Sequence, residues 1–144
     1  MAADATTTES WWNGEAFDRI LIDAPCSGTG VIRRHPDIKK LRTPEDISSF
    51  REKQLALLEN LWKTLAVGGK LLYATCSILK SENQDVVSRF IKDHEDVEVL
   101  PIKTPESLKG SGPKTSIYPC NPGIQLFPMA RAHDGFYYAL MAKA

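Results

Sequence analysis

The feature that most constrains this chain is the run Phe17 to Gly30, FDRILIDAPCSGTG, in which a short strand, Arg19 to Ile22, stops at Asp23 and turns through Pro25, Cys26, Gly28 and Gly30. An apolar run that halts at a carboxylate and is followed by glycines suits a buried parallel strand. In open α/β sheets ligands bind beyond the carboxyl ends of such strands. Asp23 and Cys26 are therefore expected in that crevice. Taken alone, the same run also suits a plain strand-to-loop corner with a half-buried cysteine.

A second strand resolves where this one lies. Thr43-Pro44-Glu45-Asp46 offers an N-cap, a proline at the first helical position and an acidic first turn. From there Ile47, Phe50, Gln54, Leu57, Leu58, Leu61 and Leu65 recur at spacings of three and four, which predicts a helix from about Pro44 to Ala66, stopped by Gly68-Gly69. Lys70 to Thr75, KLLYAT, is again strand-like and runs into Cys76-Ser77. Strand, helix and strand make a βαβ unit with parallel strands, so both carboxyl ends share one edge of the sheet. Cys26 and Cys76, fifty residues apart in the chain, should then be neighbours.

The remaining chain adds a second helix from the capping-box pattern Ser81-Glu82-Asn83-Gln84 to about Asp93, with Val86, Val87, Phe90 and Ile91 as its buried face. Val97 to Leu100 resumes an extended pattern, and Gly135 to Met141, GFYYALM, is strand-like after the Asp134-Gly135 turn signal. Between them Pro101 to Pro122 lacks periodicity and reads as a long surface loop or flap. The fold class is α/β.

At 144 residues one core is expected, and no apolar run approaches the ~20 residues of a membrane span. The start, Met1 to Ser10, has no apolar core of a signal peptide, so a cytoplasmic location is the default expectation. Cys26, Cys76 and Cys120 are far apart and outside any CxxC spacing, which argues against a disulfide framework and a metal site. Net charge is zero, so a nucleic-acid partner needs a local patch. One exists at Arg33, Arg34, Lys39, Lys40 and Arg42, five basic residues against the single acid Asp37. A solvated basic loop is its plainer reading.

Two cysteines beside a carboxylate at a sheet edge suggest a thiolate nucleophile, since the thiolate is the attacking species. A Cys-His hydrolase would need His35 to fold back onto the site. Addition of the thiolate to an electron-poor ring, such as C6 of a pyrimidine, needs instead a carboxyl group facing the ring's N3 and exocyclic amine, and Asp23 is placed for that.

The motifs FDRILIDAPCSGTG, VIRRHPDIKKLR, YATCS and DGFYYALM closely resemble the NOL/NOP/Sun family of RNA cytosine-5 methyltransferases, and the bacterial members acting on 16S ribosomal RNA in particular. The resemblance runs from Asp4 to the C-terminus. It implies the C-terminal half of a Rossmann-like domain dependent on S-adenosyl-L-methionine: a parallel βαβ unit, a helix and a C-terminal strand pair. It implies Cys76 as the nucleophile, Cys26 as the cysteine that assists product release, and Asp23 as the acid at the active-site end of the cofactor pocket. Asp4 matches the acid that contacts the adenosyl part of the cofactor. Arg33, Arg34, Lys39 and Lys40 would hold phosphates of RNA, 16S ribosomal RNA being the implied partner.

The chain departs from the family pattern in one respect. The glycine-rich cofactor loop and the N-terminal RNA-binding domain of such enzymes are not found in residues 1–144, which read as one partial catalytic domain. A first strand left with an unpaired edge favours self-association. The alternative is a non-catalytic RNA-binding or interaction remnant, and the intact trio Asp23, Cys26 and Cys76 favours the enzyme.

Overall fold

A computed structural model describes residues 3–103, 117–130 and 133–144. Its strands are β1 (Phe17–Asp23), β2 (Leu65–Thr75), β3 (Val97–Leu100), β4 (Ile117–Pro119), β5 (Ile124–Leu126) and β6 (Phe136–Lys143). Its helices are α1 (Ile38–Leu41), α2 (Pro44–Lys63) and α3 (Gln84–Asp93), with single tight turns at Thr8–Ser10, Thr29–Val31 and Lys80–Glu82. The strands form one mixed sheet in the order β1-β2-β6-β5-β4, with β3 also on β6.

The expected βαβ unit is present, and β1 and β2 run parallel from Arg19 opposite Lys70 to Asp23 opposite Ala74. Strand β6 lies antiparallel on the far side of β2, from Lys70 opposite Ala142 to Thr75 opposite Tyr137. Its other edge is shared, β5 taking Phe136 to Tyr138 and β3 taking Leu140 to Lys143. The strand pair expected from Val97 to Leu100 and Gly135 to Met141 is thus β3 with β6. Among the described residues β1 pairs with β2 alone, and its outer edge is free.

Helix α2 starts as its sequence dictates. The Thr43 hydroxyl accepts from the Asp46 amide at 3.3 Å, and the Asp46 carboxylate accepts from the Thr43 amide at 2.9 Å, a reciprocal cap. It ends three residues earlier than the apolar periodicity suggests. The Thr64 amide and hydroxyl both turn back to the Leu61 carbonyl, and Leu65 then joins the sheet opposite Phe17. The glycines expected to stop the helix instead lie in β2, where Ala66 to Gly69 bulge between the Leu65 and Lys70 pairings and Gly68 takes φ +76°.

The second helix also begins later than expected, at Gln84, and its preceding residue Asn83 makes no side-chain cap. Ser81 lies in the tight turn Lys80–Glu82 because Glu82 points inward, fully buried, rather than back along the helix. The segment after Gly30, irregular in its sequence pattern, contains the short helix α1. Of the long loop expected at Pro101 to Pro122, residues 104–116 lie outside the described residues, while 117–119 form β4, hairpinned to β5.

The core fills one face of the sheet. Ile22, Leu71, Tyr73, Tyr137, Ala139 and Met141 point to it in adjacent register and meet Leu57, Leu58 and Trp62 of α2 and Val86, Val87 and Phe90 of α3. Trp62 and Phe90 pack edge to face with centroids 5.4 Å apart. On the opposite face Leu21 is 67% exposed, whereas Phe90 is 0% exposed. Phe90→Ala should therefore lower unfolding free energy by about 3–5 kcal/mol, and Leu21→Ala by no more than about 0.5 kcal/mol, in urea titrations followed by circular dichroism. Equal losses would mean that the core lies elsewhere.

Candidate active site

Because β1 and β2 are parallel and in register at Asp23 and Ala74, the chain leaves both strands at one edge, and the two turns that follow lie side by side. The Ala24 amide continues the pairing onto the Ala74 carbonyl, and the Gly30 amide donates to the Cys76 carbonyl at 2.9 Å. The Cys26 and Cys76 sulfurs are 3.4 Å apart, both partly buried, as the sequence topology predicts.

A third segment closes the turn region. The Gly135 amide, just before β6, donates to the Gly30 carbonyl at 2.9 Å. A Cβ on Gly30 would stand 2.2 Å from the Gly135 carbonyl oxygen and 2.8 Å from that of Cys76. Only glycine allows the three backbones to meet there.

The two thiols are inequivalent. Cys26 donates its S–H to Cys76, which holds the Cys76 thiol below its ordinary value, at about 7, against the opposing effects of burial and of Asp23 and Glu82 nearby. That same bond, with burial, pushes Cys26 up and keeps it protonated. Cys76 is the residue that carries a thiolate near neutral pH. Asp23 is exposed at the end of β1, and its carboxylate has no hydrogen-bond partner among the described residues.

Beneath the thiols lies a polar cluster that sequence reasoning did not find. Glu82, fully buried, accepts from the Ser27 amide at 2.8 Å, from the Ser27 hydroxyl at 2.6 Å and from the Ser77 hydroxyl at 2.6 Å. The Thr29 hydroxyl is 3.1 Å from that of Ser77 and accepts from the Ile78 amide. Thr75 donates to Asn83, whose amide donates to the Ser77 carbonyl and to Gln125. Tyr73 donates to the Glu82 carbonyl. From outside, Gln54 donates to the Pro25 carbonyl and Arg42 to the Ser27 carbonyl. The only signal for this cluster was Glu82 itself, and its place in a capping-box pattern pointed elsewhere.

The other residues singled out from sequence are distributed less tightly. Arg33 and Arg34 pair with Asp134, Arg34 at 2.7 Å, which fastens the basic loop beside Gly135 while leaving each side chain about half exposed, at 51% and 56%. Lys39 and Lys40 are exposed on α1. Asp4 sits on the N-terminal segment, where its carboxylate accepts from the Thr6 amide and hydroxyl, bonds that hold it below the usual carboxylate range. Its neighbours Ala3 and Ala5 line a groove along β1 with Trp11, Phe17, Arg19 and Leu21. No described contact joins Asp4 to Asp23 or to either cysteine. No group of three or more metal-ligating side chains occurs among the described residues, and no helix there is long and apolar enough to cross a membrane.

Residues 1–142 match the family model described as 16S rRNA methyltransferase RsmB/F. The chain is 46% identical over 144 residues to the ribosomal RNA small subunit methyltransferase B of Vibrio cholerae, covering 99% of this chain and 30% of that protein. It is 47% identical over 143 residues to the protein of the same name in Pseudomonas putida, with the same coverage of 99% and 30%. The chain thus spans about three-tenths of the length of these relatives. Among solved structures, that titled NSun6 from Pyrococcus horikoshii with SFG superposes with a TM-score of 0.75 at 26% identity, over 99% of this chain and 34% of that one.

The thiol geometry generates a test. Alkylation of Cys76 by iodoacetamide, read residue by residue by mass spectrometry, should rise with pH as thiolate forms, be half-maximal near pH 7, and fall to roughly one-tenth of its maximum at pH 6. Cys26→Ala removes the thiol donor and should move that midpoint upward, toward the ~8.5 of an ordinary cysteine. An unchanged midpoint would show that the Cys26 bond does not set Cys76 reactivity.

Proposed function

The chain belongs to the 16S rRNA methyltransferase RsmB/F family, and from that premise we propose that it is the carboxyl-terminal part of an RNA cytosine-5 methyltransferase domain. The carrying observation is the thiol pair, 3.4 Å apart with Cys76 poised to ionise and Cys26 kept protonated. A pair so divided can make a bond with one sulfur and help break it with the other.

In this reading the Cys76 thiolate adds to C6 of a cytosine, and the ring's electron pair moves to C5 while charge collects at N3. Asp23, exposed and without a partner beside the pair, would face that edge of the ring, its carboxyl group sharing a proton with N3 as the charge builds there and accepting from the exocyclic amine. C5 takes the methyl group and gives its proton to a solvent water acting as base, and the electron pair of that C–H bond reforms the C5–C6 double bond and expels the Cys76 thiolate, the protonated Cys26 assisting by donating to the departing sulfur. S-adenosyl-L-methionine supplies the methyl group when bound. The residues present fit it on one side: the partnerless Asp23 carboxylate at the end of β1, and the groove beside Asp4 along that strand's free edge. A thiol near 7 is about half thiolate at neutral pH, against a few per cent for an ordinary cysteine.

The cytosine must leave its stack to reach a crevice of this kind. Arg33, Arg34, Lys39 and Lys40 would hold phosphates of the RNA, 16S ribosomal RNA by family, beside it. The free edge of β1 is the surface for self-association, and a soluble cytoplasmic enzyme follows from an RNA substrate of the ribosome.

The test of roles uses a longer protein carrying this segment. Cys76→Ala should abolish methyl transfer and the covalent RNA adduct, and Cys26→Ala should let the adduct accumulate on denaturing gels. Adduct with Cys76→Ala and none with Cys26→Ala would reverse the assignment.

A separate measurement concerns the 144-residue chain itself. Glycine-turn amides and an acidic ribose partner, which build the rest of such pockets, lie outside what β1 and β2 supply. Calorimetric titration with S-adenosyl-L-methionine should therefore give weak or no binding, with light scattering reporting association. Micromolar binding by a monodisperse monomer would overturn the partial-domain reading.

A further inference from the structure

We infer that Glu82 is a positioning residue for the cysteine pair, a buried carboxylate clamp whose three hydrogen bonds to Ser27 and Ser77 hold the two catalytic turns at one separation. This rests on the catalytic reading of Cys26 and Cys76. Glu82 touches neither sulfur nor any place open to a base, since it is fully buried, so its action runs through the residues that follow each cysteine.

The geometry is specific. One carboxylate oxygen accepts from the Ser27 amide at 2.8 Å, and the other accepts both hydroxyls, Ser27 and Ser77, at 2.6 Å each. Ser27 is the neighbour of Cys26 and Ser77 is the neighbour of Cys76. The turns come from different strands and are joined near the sulfurs by one backbone bond, Gly30 to Cys76. Hydroxyl contacts also cross between the turns, from Thr29 to Ser77 and the Ile78 amide and from Ser27 to Ser77, but Glu82 is the anion that bonds both serines at once.

Glu82 is itself held on both sides. Its backbone carbonyl accepts from Tyr73 at 2.9 Å, its amide donates to the Leu79 carbonyl at 3.1 Å, and its neighbour Asn83 is bonded to Thr75 and Gln125. Burying a carboxylate is unfavourable unless its hydrogen bonds are met. A chain that needed only to stabilise this corner could fill it with apolar side chains, as the adjoining core does. A carboxylate bonded to both turns adds a fixed distance between them.

The charged and titratable groups around Cys76 are Cys26, Asp23 from β1, and Glu82 from the turn before α3. Two opposed consequences follow from removing Glu82. Loss of its charge lowers the Cys76 thiol; loss of the clamp breaks the Cys26 bond, the largest influence on Cys76, and raises it.

The experiment needs neither RNA nor cofactor, so its failure counts against the clamp alone, whereas failure of the adduct assay counts against the functional reading. Purified chain is incubated with oxidised glutathione. Cys76 thiolate displaces one glutathione thiolate, Cys26 then displaces the second, and the protein pair loses two electrons and two protons as two glutathione thiols form. The rate of the Cys26–Cys76 disulfide and the pH midpoint of Cys76 alkylation are both read by mass spectrometry.

Glu82→Ala should slow disulfide closure at least about tenfold and move the alkylation midpoint up. Glu82→Gln, which keeps the shape and part of the bonding, should close within about threefold of the parent and move the midpoint down. Leu57→Ala, a core truncation away from the turns, should leave both readings unchanged although it destabilises the fold. A folded Glu82→Ala that closes at the parental rate overturns the clamp. Should that variant fail to fold, a Glu82→Gln midpoint that stays in place or rises overturns it instead.

Discussion

The parallel pairing of β1 with β2 is the constraint on which everything else depends. It aligns Asp23 with Ala74, so short turns beyond that pairing, three residues past Asp23 and two past Ala74, bring the Cys26 and Cys76 sulfurs to 3.4 Å. An antiparallel pair would have sent the two turns to opposite ends of the sheet. A slip of one residue would have turned each side chain to the other face. Helix α2, capped at Thr43 and released at Thr64, has the length that returns the chain for this register.

Strand β6 reinforces the edge by running the other way. Entering at the active-site end, it brings Gly135 against Gly30, and Asp134 against Arg33 and Arg34, before it passes down the sheet between β2 and the strands β3 and β5. Three segments separated widely in sequence thereby meet within a few residues of the thiols. The buried polar cluster around Glu82 occupies the space beneath them, with nearly every donor and acceptor matched, the exception being the Gln54 side-chain carbonyl. Such networks rigidify when satisfied, which suits the thiol chemistry proposed above, since that depends on a sulfur–sulfur distance.

The proximity of the cysteines was legible because it follows from topology, and topology follows from periodicity: an apolar run, a helix stripe and another apolar run. The start of α2 was legible because its cap is local. Its end was not, since the apolar stripe runs on through Leu65, and only pairing with Phe17 decides that Leu65 belongs to the sheet. Glu82 was misread for the same reason. Its local pattern fits a helix cap, while its partners Ser27 and Ser77 come from two other turns. Strands β4 and β5 have three residues each, too few to show alternation. The pairing of Arg33 and Arg34 with Asp134, a hundred residues on, is likewise a product of the fold. The whole-chain resemblance supplied what no local pattern could: the pairing of these motifs with RNA and a methyl donor.

Among the described residues β1 is hydrogen-bonded along one side only, and in a chain of these 144 residues that edge bears on how the candidate site responds to thermal motion. A strand bonded along one side only gives up its amides to solvent sooner than one bonded on both, so opening here takes less than global unfolding. Because Asp23 ends that strand with Cys26 in the turn beyond it, and Cys76 follows its better-anchored neighbour, the first fluctuation expected to reach the site is a sliding of one thiol relative to the other. Amide hydrogen exchange would register it as a gradient, fastest along β1, slower along β2 and slowest along β6, with the two cysteines on opposite sides of its steepest step.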